Sequence, residues 1–306
     1  MLLTGDGRGS SGGRRSPGGR LARTVLLVLL VANAGWALGA SAAPADNADR
    51  PEPALAQLRT TPPIYRLVYT RSSADERIDT AQQRLVGLCM GRLGFTYTAP
   101  PPAAAGQPAE GPRPFGLESL DSPDTGEAPA VREEQRPDAA AYTRALYGDP
   151  KKRLVGRGKW LSASRPGAGC LAEAEQRLMG DARQRWIQLR VLLFEAEQRS
   201  RDLLDRDAEF QAANREWQRC MQRTGITASD PLRLLAALPA GSDVRTHPAT
   251  RADTRCKTST GYLRIAYTRL AVVQTEVLGA DPSIVRDWRR ILARQDAAAR
   301  AALGDR

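Results

Sequence analysis

The chain has 306 residues, with 45 Lys or Arg against 34 Asp or Glu, a formal excess of +11. Only four basic residues are Lys (Lys151, Lys152, Lys159 and Lys257), and there is a single His, His247. Basic and acidic residues read as interspersed along the helical stretches, the pattern of solvated helix faces and not of a nucleic-acid footprint. One histidine, lying in a Pro-rich stretch and without periodic neighbours, reads as a solvent-exposed bystander and leaves little from which to build imidazole chemistry.

Arg14, Arg15, Arg20 and Arg23 precede an uncharged, Leu- and Val-rich run from Thr24 to Ala43, which includes the triplet Ala40-Ser41-Ala42. That order fits residues 1–42 as a secretory signal peptide cleaved after Ala42. The run is also long enough to stay as a membrane anchor. In both cases the arginines remain on the cytoplasmic side and the rest of the chain lies outside. A lipid anchor is not expected, since the first cysteine is Cys89. Without residues 1–42 the chain carries 40 basic and 33 acidic residues.

Residues 43–97 read as an N-terminal arm and a first helix. Ile64 to Tyr69 could pair as a strand, but the extended arm packed on helices is the preferred reading. Ile78, Ala81, Leu85, Leu88 and Cys89 recur at three- and four-residue steps and lie on one helix face. Residues 98–138 form a Pro/Ala-rich linker with little apolar material for a core. Residues 139–226 form a helical block, in which the seam Trp186, Leu189, Leu193, Ala196, Leu203, Phe210, Trp217, Met221 is too long for one straight helix. A joint is expected at Asp202 to Asp207. Residues 227–250 read as a loop, with one short helix possible from Pro231 to Leu238. Residues 251–306 are C-terminal helices, the first carrying Cys256, Leu263, Leu270 and Val277. Gly279 ends that helix and Asp281-Pro282 starts the next. Strand signals are too sparse for a sheet, so the expected class is all-α, a disulfide-stapled helical bundle with Pro-rich loops.

One pattern occurs twice, as Cys89-Met90-Gly91-Arg92-Leu93-Gly94-Phe95 and as Cys220-Met221-Gln222-Arg223-Thr224-Gly225-Ile226. Each copy closes a helical stripe. A glycine just past the helix end supplies positive φ, and the Met90/Phe95 and Met221/Ile226 pairs then stand where apolar contact accompanies a Schellman cap. Cys170 begins a helix after Gly167-Ala168-Gly169, and Cys256 is expected early in its own helix. Antiparallel neighbours bring such ends together, so Cys89–Cys170 and Cys220–Cys256 are the expected bonds among three possible connectivities. An even cysteine count in an exported chain favours bridging. Cysteine gaps of 81, 50 and 36 residues do not suit a four-Cys zinc site, and no metal or cofactor is expected.

The pattern resembles exported or membrane-anchored helical four-cysteine proteins of actinomycete bacteria. It rests on Cys89 to Phe95, the Tyr-x-x-Ala-Leu-x-Gly stretch Tyr142 to Gly148, Gly169-Cys170, Trp217 to Met221 and Cys256, and spans roughly Leu85 to Tyr262. Ile226 departs from the aromatic of the first copy, and the lipid-anchoring Cys is absent. The resemblance implies fold and location but no activity.

No catalytic constellation stands out. Glu173 with Glu175, and Asp202, Asp205, Asp207 and Glu209, are the carboxylates that could do glycosidase-type acid and base work. Gly156-Arg157-Gly158 and Gly167 to Gly169 lack the context of a phosphate loop. Tyr65, Tyr69, Tyr97, Tyr142 and Tyr147 could supply an amphipathic contact surface. The favoured reading is an exported, non-catalytic binding protein with an unknown envelope partner, no nucleic acid, and membrane contact only through the N-terminal segment. A cell-wall glycoside hydrolase and a membrane-anchored scaffold are the alternatives.

Overall fold

The computed structural model describes residues 61–99, 113–118, 120 and 138–304. The expected targeting segment and most of the 98–138 linker lie outside them. In chain order the elements are α1 (Pro63–Val68), α2 (Ser73–Arg92), α3 (Ala139–Tyr147), β1 (Arg153–Arg157), β2 (Ser162–Pro166), α4 (Cys170–Met179), a 3₁₀ turn (Gly180–Ala182), α5 (Arg183–Leu204), α6 (Ala208–Arg223), α7 (Pro231–Ala236), α8 (Pro248–Thr260), α9 (Tyr262–Gly279) and α10 (Pro282–Leu303). The fold is a disulfide-stapled helical bundle, with one small antiparallel hairpin among the described residues.

Helix ends follow local chemistry. Ser72 and Asp75 form a capping box that starts α2. The joint inside residues 202–207 is real: α5 stops at Leu204, and the Asp207 carboxylate accepts the Phe210 N–H at 2.9 Å to start α6. Asp281 caps α10 in the same way, with Pro282 at the first helical position. No helix among the described residues is long and apolar enough to cross a membrane.

Five expectations need correction. Residues from Ile64 to Val68 are neither strand nor extended arm but lie in α1: Pro63 presets the first helical φ, and the Ile64 N–H finds Gln274 Oε1 at 2.9 Å. The Cys256 to Val277 stripe is two helices, divided where Gly261 takes φ 65°. Cys256 is consequently in the last third of α8 and not near its start. That helix begins at Pro248, inside the expected 227–250 loop, and His247 is its N-cap, with Nδ1 accepting the Ala249 N–H at 3.2 Å. Fourth, the β1–β2 hairpin was not legible. Its buried side is Gly156 paired with Ala163, residues too small to give an apolar alternation. Last, part of the 98–138 linker belongs to the core.

In one part of the bundle α2, α4 and α10 pack together; in the other α6, α8 and α9 do. Helix α5 joins them, touching the hairpin, α9 and α10. Trp186 stacks on Trp288 at 4.2 Å between ring centroids, seating α5 against α10. Around Trp217 the core also takes in residues 113–118. Phe115 packs edge-on to Tyr267 and Tyr262 at 4.9 and 6.1 Å. The buried Lys257 ammonium donates to the Leu117 carbonyl at 2.6 Å and to Asp253 at 2.7 Å. Asp253 also accepts the Trp217 indole N–H at 2.9 Å. The Tyr267 hydroxyl donates to the buried Glu118 carboxylate. Removing one partner of such a network would leave a buried charge alone, at a cost of roughly 3–5 kcal/mol.

Burial raises the pKa of Glu118 above its ordinary 4.5, against the hydrogen bond from Tyr267 and the nearby Arg113 and Lys257, which lower it. A group with a raised folded-state pKa gives its full stabilisation below the unfolded pKa and loses it as pH rises through the folded value. Glu118→Gln, which keeps an acceptor for Tyr267, is therefore expected to decline less in unfolding free energy than the wild type as pH rises above 4.5. Urea titrations across that range test this, and equal declines in both proteins would refute it.

Candidate functional site

Both copies of the Cys-Met motif end helices as expected. Past α2, Gly94 stands at φ 82°, the Phe95 N–H donates to the Met90 carbonyl at 3.0 Å and the Gly94 N–H to Gly91 at 3.0 Å. Past α6, Gly225 stands at φ 78°, with Ile226 bonded to Met221 at 3.1 Å and Gly225 to Gln222 at 3.0 Å. These are the two reciprocal bonds of a Schellman cap. Met90 and Met221 are fully buried. Phe95 meets Tyr142 edge-on at 5.7 Å, so the aromatic of the motif packs on α3.

Cys89–Cys170 and Cys220–Cys256 are the bonds formed, with Cα separations of 5.5 and 5.6 Å, and no cysteine is free. Two such bonds belong to a chain in an oxidising, extracellular-type environment. Replacing Cys89 and Cys170 together by Ser is expected to cost roughly 2–5 kcal/mol in urea unfolding, somewhat more than replacing Cys220 and Cys256, because the first bond closes the longer loop. The opposite ranking would count against the chain-entropy account.

Of the six carboxylates suggested for hydrolysis, Glu173, Glu175, Asp207 and Glu209 are engaged in structural ion pairs. Glu173 holds Arg92 at 2.7 Å and Arg177 at 3.1 Å; Glu175 is buried between Arg165 at 2.6 Å and Arg183 at 2.7 Å. Asp207 and Glu209 both meet Arg269, at 2.7 and 3.3 Å. The Arg269 bond holds the Asp207 carboxyl below its ordinary range. Asp205 is raised, by burial first and then by Asp202 and Asp230. Nor do the tyrosines make one surface. Tyr65 and Tyr69 pack on each other, with Tyr69 donating to Glu197 at 3.0 Å, while Tyr97 and Tyr142 pack beside the first disulfide. Only Tyr147 of the five is strongly exposed. An open cleft of about 440 Å³ lies over Cys89–Cys170, but neither Met90 nor Phe95 lines it. Among the described residues no group of three or more His, Cys, Asp or Glu could hold a metal ion.

The arrangement with no equivalent in the sequence reading is the hairpin. Its loop is organised around one carboxylate from α5: buried Glu195 accepts the backbone N–H groups of Lys159, Trp160 and Leu161, each at 2.8 Å. Gly158 leaves room for that carboxylate, since a Cβ there would sit 2.4 Å from it. The outer edge of β1 is tied down as well, Gln184 and Gln188 of α5 donating to the Val155 and Arg157 carbonyls at 2.6 and 3.3 Å. On this fixed loop Trp160 is 57 % exposed, the highest value among the large apolar side chains that face solvent.

The surrounding charge is one-sided. Residues 150–172 contain Lys151, Lys152, Arg153, Arg157, Lys159 and Arg165 and no Asp or Glu. The interspersed charge expected along the helices does not extend to the hairpin. Arg165 is neutralised by Glu175, and Arg153 is bonded to Ser164. Lys151, Lys152, Arg157 and Lys159 are exposed, and none is paired with a carboxylate among the described residues. The cluster could have been found by scanning for acid-free windows; Glu195 could not, because it is more than thirty residues away and carries no motif.

Glu195→Ala should destabilise the chain by roughly 2–3 kcal/mol, since three donors to a charged acceptor are released. Hydrogen exchange should quicken at the amides of Lys159, Trp160 and Leu161 while the helices stay protected. Unchanged exchange at those three amides would show that the carboxylate does not hold the loop. No protein-family model, curated protein or solved structure matches the chain.

Proposed function

We propose that this is an exported, non-catalytic binding protein of the cell envelope, a disulfide-stabilised helical scaffold that presents the 153–166 hairpin to an anionic partner. The observation that carries the reading is Trp160: a large apolar side chain is held in solvent by a loop whose three amides are fixed on a buried carboxylate, with the unpaired Arg157 and Lys159 at the same end of the hairpin and Lys151 and Lys152 at its base. An exposed aromatic on a rigid, charged frame is a binding feature, because a loop free to relax would cover it. Export is supported by the Arg-flanked apolar run at Thr24–Ala43 and by both disulfides. The resemblance to exported four-cysteine proteins of actinomycetes agrees with that location.

Cell fractionation followed by rebinding to washed envelopes tests the proposal. The wild-type chain should be found oxidised in the envelope or medium, and should rebind to envelopes in a salt-sensitive way. The variant in which Trp160 becomes Ala and Lys151, Lys152, Arg157 and Lys159 become Gln should lose most of that binding and keep its thermal transition. A chain recovered from the cytosol with free thiols, or equal retention of both proteins, would overturn it.

A further inference from the structure

We infer that the surface met by the hairpin is an anionic phospholipid bilayer, with Trp160 seated at the headgroup level and Arg157 and Lys159 beside it facing lipid phosphates. The inference rests on the binding role proposed above and names its partner. It gives the folded part of the chain a membrane contact of its own, in addition to that expected of the N-terminal segment.

Three features select a bilayer over other polyanions. The first is that the tip offers one aromatic, Trp160, followed by half-buried Leu161. Single-stranded nucleic acid is held by successive aromatic platforms along a groove, and neither neighbour of Trp160 is aromatic. An indole whose ring is apolar and whose N–H is polar suits the zone between headgroups and acyl chains, where Trp is enriched.

A second feature is the kind of cation. The chain uses Arg for all but four of its 45 basic positions, yet the cation next to Trp160 at the tip is a Lys, Lys159, and two of the other three, Lys151 and Lys152, stand at the hairpin's base. An ammonium on a flexible four-carbon stem is a point charge that follows a diffuse field and can lay its stem on apolar surface. It does not provide the planar fork that reads individual carboxylates or phosphates in fixed pairs. The third feature is the rigid frame. Because Glu195 holds the amides of Lys159, Trp160 and Leu161, the loop enters the interface without first being ordered, which removes part of the entropy cost of association. Those amides are also satisfied inside the protein, as a loop entering a region poor in water requires.

The test uses the full chain and vesicles of phosphatidylcholine, alone or mixed in equal parts with phosphatidylglycerol. The segment Thr24–Ala43 is common to every variant, so the hairpin's part is read from differences between variants. Wild type should partition preferentially onto the phosphatidylglycerol vesicles and be released by salt. Arg157 or Lys159 changed to Gln should lower the partition about fivefold, Lys151 or Lys152 changed to Gln should lower it less because they stand at the hairpin's base, and Trp160→Ala should lower it roughly tenfold. Brominated lipid should quench the wild type more than Trp160→Phe, locating the indole at the interface. Equal partition of wild type and variants, or no preference for phosphatidylglycerol, would overturn the inference. If the same substitutions instead release the chain from a soluble polyglycerol phosphate or an oligonucleotide and not from vesicles, the bilayer is the wrong partner. In the first of those cases the envelope-binding role stands. If the hairpin variants bind vesicles, polymers and washed envelopes as the wild type does, the binding role fails with it.

Discussion

Glu195 accepts three consecutive loop amides from a helix more than thirty residues further along the chain, and the same device recurs at several places where this fold departs from long helices. Gln274 of α9 takes the Ile64 N–H at the start of α1, and Glu197 of α5 takes the Tyr69 hydroxyl just past its end. Lys257 of α8 donates to the Leu117 carbonyl in the linker segment. Arg183 at the start of α5 donates to the Pro166 carbonyl at the end of β2 while it is paired with Glu175. Each of these irregular pieces is too short to satisfy its own backbone groups. Burying them without partners would cost roughly 1–3 kcal/mol per group, so a polar side chain from a rigid helix at the right place decides whether the piece docks at all. Without such fasteners the long helices could still pack, but the hairpin and the residues around Phe115 would have no fixed position.

The disulfides do different work. They join helices that already pack, α2 to α4 and α6 to α8, and close stretches of 81 and 36 residues between the partners. Their placement follows from the cap motif. In both copies the cysteine stands five residues before the positive-φ glycine, and the methionine after it turns into the core on the same final turn. One short segment thus ends a helix, fills a core cavity with a flexible side chain and carries a sulfur to the neighbouring helix. This economy explains why the segment occurs twice in a chain whose halves otherwise differ in their connections.

Long amphipathic elements and their punctuation were legible from residues alone. The stripe from Trp186 to Met221 with its interruption at Asp205 and Asp207, the restart at Asp281-Pro282 and the Schellman caps each rest on interactions within a few residues, and the disulfide pairing on helices with one other helix between them in chain order. What was not legible depends on distant partners. Residues 63–68 carry no strong helix pattern, and α1 is completed by Gln274, 210 positions away. Phe115 sits among prolines, where composition suggests no core, and is buried because Tyr262 and Tyr267 meet it there while Lys257 holds the nearby Leu117 carbonyl. The hairpin is the clearest instance: Gly156 and Ala163 replace large apolar residues on its inner side, so that the strand can lie directly on α5. A Cβ at Gly156 would approach the Ile187 backbone to 2.6 Å. Smallness, and not hydrophobicity, is the signal, and period-two patterning does not register it.

That close seating bears on what the hairpin is for. Two isolated strands are marginal in water, and these two contribute little apolar area to the core. Several polar groups of α5 and the surrounding turns, Gln184, Gln188, Arg183 and Glu195, are nonetheless committed to holding them. If the segment were only a connection between α3 and α4, a short polar turn would serve without leaving an indole in solvent. Helices distribute neighbouring residues around a cylinder, some 100° apart, whereas a hairpin carries consecutive residues out to one point. Arg157, Lys159 and Trp160 reach that point together only because the backbone between them reverses there, and the buried carboxylate beneath is what keeps it reversed.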